Sequence, residues 1–92
     1  MDKSISIREL EKILKALASR RRLAILKYLK EEREASVGEI SGEIKVSFKA
    51  TSKHLAILTA ADIVERDQRG LQMFYRIAAN PKSVIRVVLS LL

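Results

Sequence analysis

Cysteine and tryptophan are absent from this chain of 92 residues. Without a thiol there is no disulfide framework, no thiolate metal site and no thiol nucleophile, and the composition fits a reducing compartment. Glycine occurs three times, proline once and histidine once. There is no phosphate-cradling glycine-rich loop and no His-Asp-Ser set in credible context, so the sequence speaks against an enzyme. Glu31, Glu32 and Glu34 read most simply as a solvated charge run at a helix end. Long apolar runs are missing too: no stretch approaches the roughly 18 residues of a membrane span. The N-terminal MDKSISIREL lacks the apolar segment of a secretory leader, so a cytoplasmic chain with no membrane partner is expected.

What is present is an ordinary globular balance with an unusual charge. Hydrophobic residues at 48% and charged residues at 32% suit a single folded domain, taken here as residues 1–92, rather than a disordered chain. Eighteen Lys and Arg against 11 Asp and Glu leave a net charge of +7, which favours a polyanionic partner such as nucleic acid or an anionic surface.

The acidic residues avoid one segment altogether: none lies between Ile44 and Ala61. Wound at about 100° per residue, this segment puts Thr51, His54, Leu55 and Leu58 on one side and Lys49, Ser52, Lys53 and Ala56 on the other. Ser47 is a good N-cap for the helix. An acid-free helix with small and basic outer residues suits a major groove lined by phosphates, whereas an ordinary surface helix with solvated lysines is the plainer alternative.

The flanking elements follow from their own signals. Ser6-Ile-Arg-Glu9 is a capping box ahead of Leu10, Ile13, Leu14 and Leu17, spaced for one buried helical face. Ser19 caps a second helix to about Arg33, opened by Arg20, Arg21 and Arg22. Three cations at a helix N-terminus oppose its dipole, and they either answer a nearby anion or point into water. Ser36-Val-Gly-Glu39 is a second capping box, starting a short helix to about Ile44 with Val37, Ile40 and Ile44 inward. A short helix joined tightly to a longer one is the sequence form of helix-turn-helix.

After Ala61 the period shortens to about two. Ile63 and Val64 start one strand; Leu71, Met73, Tyr75 and Ile77 alternate on another, with Asp67, Gln68, Arg69 and Gly70 as the turn. The resulting hairpin carries Arg66 and Arg69 near its tip and should lie on the helices by its Met73 and Tyr75 side. Asn80-Pro81 marks the start of a last helix running to Leu92, with Asn80 as cap. Its apolar residues spread over roughly 200° of the wheel, more than one packing face needs. The excess argues for a homodimer interface formed with the first helix, from Leu10, Ile13, Leu14, Leu17, Val84, Ile85, Val88, Leu89 and Leu92.

Helix, helix, short helix, longer helix, hairpin, helix is a mainly α order with a small β-hairpin, that of a winged helix-turn-helix domain. The segment from Leu14 to Ile77 resembles the ArsR family of dimeric regulators. The resemblance is carried by Leu14-Lys-Ala-Leu-Ala-Ser-Arg-Arg-Arg22 with Ile25-Leu26, by Ser47 and Ser52-Lys-His-Leu55 with Leu58, by Ala61-Asp-Ile-Val64, and by Tyr75-Arg-Ile77. It implies a recognition helix over 47–60 in the major groove, with Lys49, Ser52, Lys53 and His54 in or beside the groove and Ser47 binding phosphate through its hydroxyl or the helix N-terminus. It also implies a wing over 63–77, whose Arg66 and Arg69 reach the backbone or a minor groove. His54, at the edge of the apolar stripe, is equally a packed imidazole, and Ile57 is expected beneath the wing.

Where metal-sensing members of the family carry a Cys-x-Cys pair, this chain has Ser36 and Gly38, and the segment from Asn80 to Leu92 holds no Asp, Glu or His. Metal sensing at those sites is not expected, and no cofactor is implied. The family usually has Gly where this chain has Lys45 and Asp62, which are less suited to left-handed backbone. The expectation is a homodimeric repressor binding a double-stranded DNA operator, its effector unknown. The alternative is a winged-helix module for protein interaction or non-specific architectural DNA binding.

Overall fold

Four serines start four helices. In the computed structural model, which describes residues 5–92, α1 spans Ile7–Leu17, α2 Arg20–Glu32, α3 Val37–Ile44 and α4 Phe48–Ala60. The first four residues, part of the N-terminal stretch and of the domain delimited above, lie outside the described residues. Ser6, Ser19, Ser36 and Ser47 each accept, through Oγ, a hydrogen bond from the backbone N–H three residues on, at 3.0, 3.3, 3.2 and 3.1 Å. Each cap satisfies one of the N–H groups that a helix start leaves open, for about 1 kcal/mol apiece. At α3 the capping box is complete, since Glu39 Oε1 accepts from Ser36 N at 2.8 Å. At α1 only the serine half forms; the Glu9 carboxylate instead sits 3.4 Å from Lys82 Nζ.

The strands are β1 (Ala35–Ser36), β2 (Val64–Arg69) and β3 (Gln72–Ile77), in an antiparallel sheet of order β1-β3-β2. β1 was not expected. Two residues have no period to read, and they pair only because α2 delivers them beside Tyr75 and Phe74. The hairpin turn is also tighter than the sequence suggests: Asp67, Gln68 and Arg69 are strand residues, and Arg69 pairs with Gln72. Only Gly70 and Leu71 form the loop, with positive φ at Gly70 alone, as in a type II′ turn whose twist matches that of its strands. Leu71, expected within the strand, is thereby thrust fully into solvent at the tip.

The core joins Ile13 and Leu17 of α1, Ile25, Leu26 and Leu29 of α2, Ile40 of α3, Leu55 and Leu58 of α4, Ile63 just before β2, and Val64 and Tyr75 of the sheet. The last helix, α5, spans Ser83–Ser90 and sends Ile85 into this core. It begins later than the Asn-Pro signal suggests: its N-cap is Lys82, whose carbonyl accepts from Ile85 N and Arg86 N at 2.9 and 3.0 Å. Contacts beyond the segment decide this start, because Lys82 pairs with Glu9 and Ile85 needs the core, and such contacts override a local preference. The other end is held by Lys30 Nζ, which donates to Leu89 O at 2.8 Å, a cation at a helix C-terminus.

Ile13, Leu17 and Ile85, assigned above to a dimer interface, are therefore interior residues of one protomer, at most 5% exposed. Leu10, Val84, Val88, Leu89 and Leu92 are half-buried, and Leu14 is 48% exposed.

Candidate nucleic-acid interface

The turn between α3 and α4 sets the direction of α4. Lys45 takes left-handed backbone (φ 57, ψ 48), its N–H donating to Ser41 O, and Ser41 Oγ donates to Val46 O at 2.6 Å. After α4 the chain reverses again at Asp62 (φ 58), where Asp62 N donates to Thr59 O and Ile63 N to Leu58 O. Both positions where glycine would be usual thus adopt the glycine conformation with other side chains, a strain that local hydrogen bonds offset.

Thr51, Leu55 and Leu58 are buried, which turns Lys49, Lys53 and Ala56 outward. Ser47 is exposed at the helix start, and Ser52 is half-buried on the flank. Among the described residues no carboxylate pairs with Lys49, Lys53 or Arg66, so all three charges face solvent uncompensated. An exposed helix N-terminus with uncompensated cations on one face attracts phosphate.

His54 and Arg22 meet at the other flank. Arg22 Nη1 lies 3.1 Å from His54 Nδ1, Nε donates to Ala16 O at 2.6 Å, and Nη2 donates to Lys15 O at 3.2 Å. Arg22 thus neither points into water nor waits for an anion: from the start of α2 its charge reaches the C-terminal carbonyls of α1, where the helix dipole favours it. A guanidinium only donates, so Nδ1 accepts and the ring proton of His54 is on Nε2. Burial, then the charges of Arg22 and Arg21, hold the imidazole below its ordinary value of 6.5.

The two wing arginines differ. Arg66 is exposed and unpaired among the described residues. Arg69 is engaged on every nitrogen: Nη1 and Nη2 donate to the two Glu34 carboxylate oxygens at 2.8 Å each and Nε donates to Asp67 at 3.0 Å, while the guanidinium carbon lies 4.7 Å from the Phe74 ring centroid. That pairing holds the Glu34 carboxyl below its usual range. Ile57, expected beneath the wing, is 43% exposed beside Lys12, Lys15 and Ala16 of α1.

Two residues on this face carried no sequence signal. Phe48 opens α4 with most of its ring exposed, and with Leu71 at the wing tip it lines an open hollow floored by Val37, Gly38 and Met73. No periodicity marks a lone aromatic at a helix start, and Leu71 read as a strand residue.

A short helix, a longer helix with an uncompensated cationic face and a hairpin beside it define a winged helix-turn-helix DNA-binding domain. The model of the arsR family of bacterial regulatory proteins matches residues 19–66. The transcriptional activator HlyU of Vibrio cholerae is 35% identical over 83 residues, covering 83% of this chain and 76% of HlyU. The solved structure of reduced HlyU superposes with a TM-score of 0.77 at 32% identity, over 91% of this chain and 84% of that one. The homodimeric winged helix-turn-helix domain Mb0332 of Mycobacterium bovis gives 0.81 at 27% identity, over 99% and 86%. This chain belongs to the ArsR family and is a transcriptional regulator with a helix-turn-helix DNA-binding domain.

Proposed function

We propose that two copies of this chain bind a pseudo-palindromic operator, each laying α4 in a major groove about one helical turn from the other. The observation that carries this is the uncompensated cationic face of Lys49 and Lys53 on a helix free of acidic residues. Ser47 and the helix N-terminus take phosphate; Lys49, Ser52 and Lys53 lie in or beside the groove; Arg66 of the wing reaches the backbone or the minor groove. His54 offers its Nε2–H at the edge of the interface. Arg69 contributes chiefly by holding the wing, since its nitrogens are already occupied.

The dimer uses what the protomer's core leaves over. Ile7 and Leu14 on α1, Val87 on α5 and Leu91 just beyond its end are 87%, 48%, 60% and 78% exposed, an apolar surface that a lone protomer does not cover. The half-buried Leu10, Val84, Val88, Leu89 and Leu92 flank it. Occupying the operator excludes competitors for the same DNA, so we assign repression wherever the competitor is the transcription machinery. Soft-metal sensing at the family's paired-cysteine positions does not fit: Ser36 Oγ is spent as the α3 cap and Gly38 has no side chain.

Selection of the purified protein on random-sequence duplex DNA at physiological salt tests the reading. Enrichment of a two-fold symmetric motif with half-sites about 10 base pairs apart is expected. Weak, salt-sensitive binding without enrichment would instead assign a non-specific architectural or protein-interaction role.

A further inference from the structure

Arg22 hydrogen-bonds across three helices at once. It is rooted in the first turn of α2, holds two terminal carbonyls of α1, and meets the only histidine of the chain on α4. The three contacts, at 2.6, 3.2 and 3.1 Å, use all three guanidinium nitrogens, so the planar group has one orientation that serves both helices. α1 is the helix that the proposed dimer builds on, and α4 is the helix that reads DNA.

We propose that Arg22 is a positioning residue for operator recognition: acting through His54, it makes the placement of the recognition helix follow the placement of the dimer helix. The inference rests on the DNA-binding dimer proposed above. Its physical content is a matter of register. Two recognition helices reach successive major grooves only if each is fixed relative to the two-fold axis, and Arg22 supplies a direct polar joint between α4 and α1, one of the helices on that axis. Arg22 also sets the imidazole itself, because donation into Nδ1 leaves the ring neutral with Nε2–H as its outward donor. A lysine at this position keeps the charge but offers no planar fork, and cannot hold Lys15 O, Ala16 O and His54 Nδ1 in one geometry.

The test uses the operator enriched by the wild-type protein, with dissociation constants measured for Arg22→Lys, His54→Gln and the double variant, on that operator and on unrelated duplex of equal length. Each single variant is expected to lose on the order of 10-fold on the operator, and the double variant little more than the weaker-binding single one, because the two residues act as one unit. Binding of Arg22→Lys to unrelated DNA is expected to hold, since it depends on the number of phosphates neutralised rather than on helix placement. Losses that multiply in the double variant, an operator affinity indifferent to Arg22→Lys, or an equal loss of Arg22→Lys on unrelated DNA would overturn the proposal. If Arg22→Lys does not fold, the imidazole ¹⁵N spectrum of the wild-type protein decides: an unprotonated Nδ1 coupled to the Arg22 guanidinium is expected, and a protonated Nδ1 overturns it. Failure of the wild-type protein to enrich any operator would overturn the parent reading and this inference with it.

Discussion

Arg69 and Glu34 form a two-pronged ion pair, each carboxylate oxygen 2.8 Å from its own guanidinium nitrogen, that ties the wing to the segment between α2 and β1. Thirty-five positions apart in sequence, they place the hairpin tip relative to the helices. They also divide the labour of the wing, leaving Arg66 as its available cation.

Arg66→Ala should therefore weaken DNA binding across sequences and reduce the salt slope of log K by about 1, as expected for one lost phosphate contact. Arg69→Ala should leave the slope nearly unchanged while loosening the wing, which hydrogen exchange at the amides of β2 and β3 would register. Equal slopes lost by the two variants would show that Arg69 leaves Glu34 for DNA.

Thr51 is wholly buried in α4, and its Oγ1 has no hydrogen-bond partner among the described residues. Thr51→Val keeps the branched shape and removes the stranded hydroxyl, so it should stabilise the protein by about 1 kcal/mol. For a domain of this size that raises Tm by roughly 4–8 °C, readable by calorimetry. A lower Tm would mean that the hydroxyl is used.

His54 makes stability depend on pH. Burial and the neighbouring Arg22 and Arg21 lower its value from 6.5, so on acidification the unfolded chain takes up the proton first. Its contribution is complete above about pH 6.5 and is lost as pH falls through the lowered value. Urea unfolding should show stability declining from pH 7 toward pH 5, with that part of the decline absent in His54→Gln. An undiminished slope in the variant would place the proton elsewhere.

Leu14→Glu and Val87→Glu put charge where the protomer is already open, at 48% and 60% exposure, so each should fold with little change in helix content. Each should nonetheless shift sedimentation from dimer to monomer and lower operator affinity by the lost linkage of two half-sites. Leu58→Ala, in the core, should instead cost about 2–5 kcal/mol of stability. Dimers that persist in both surface variants would move the interface away from α1 and α5.

Local signals were legible wherever the cause was itself local. The four serine caps, the inward stripe of α4 and the positive φ at Gly70 are settled within a few residues of chain, so spacing and residue type suffice to read them. Family resemblance added Lys45 and Asp62 as places where the backbone turns left-handed. It gave no hint of Arg33, whose φ of 73 ends α2 just before Glu34. The late start of α5 went the other way, with a sound local signal outweighed by Glu9 and the core.

The order of the helices and the hairpin, the apolar side of each helix and the cationic, acid-free face of α4 could be read from residue spacing, because burial and charge patterning act at fixed short intervals, whereas β1 could not. Tertiary structure alone decided what the long cations do. A guanidinium reaches several ångströms from its backbone, and its partner is whichever carbonyl, carboxylate or ring the fold brings there. For Arg22 that is the end of α1 and His54; for Arg69 it is Glu34; and for Arg66, among the described residues, it is solvent. The same holds for the apolar side chains of α1 and α5, since helical period marks Ile13, Leu14 and Ile85 alike. Only the tertiary packing separates those it buries from those it leaves exposed.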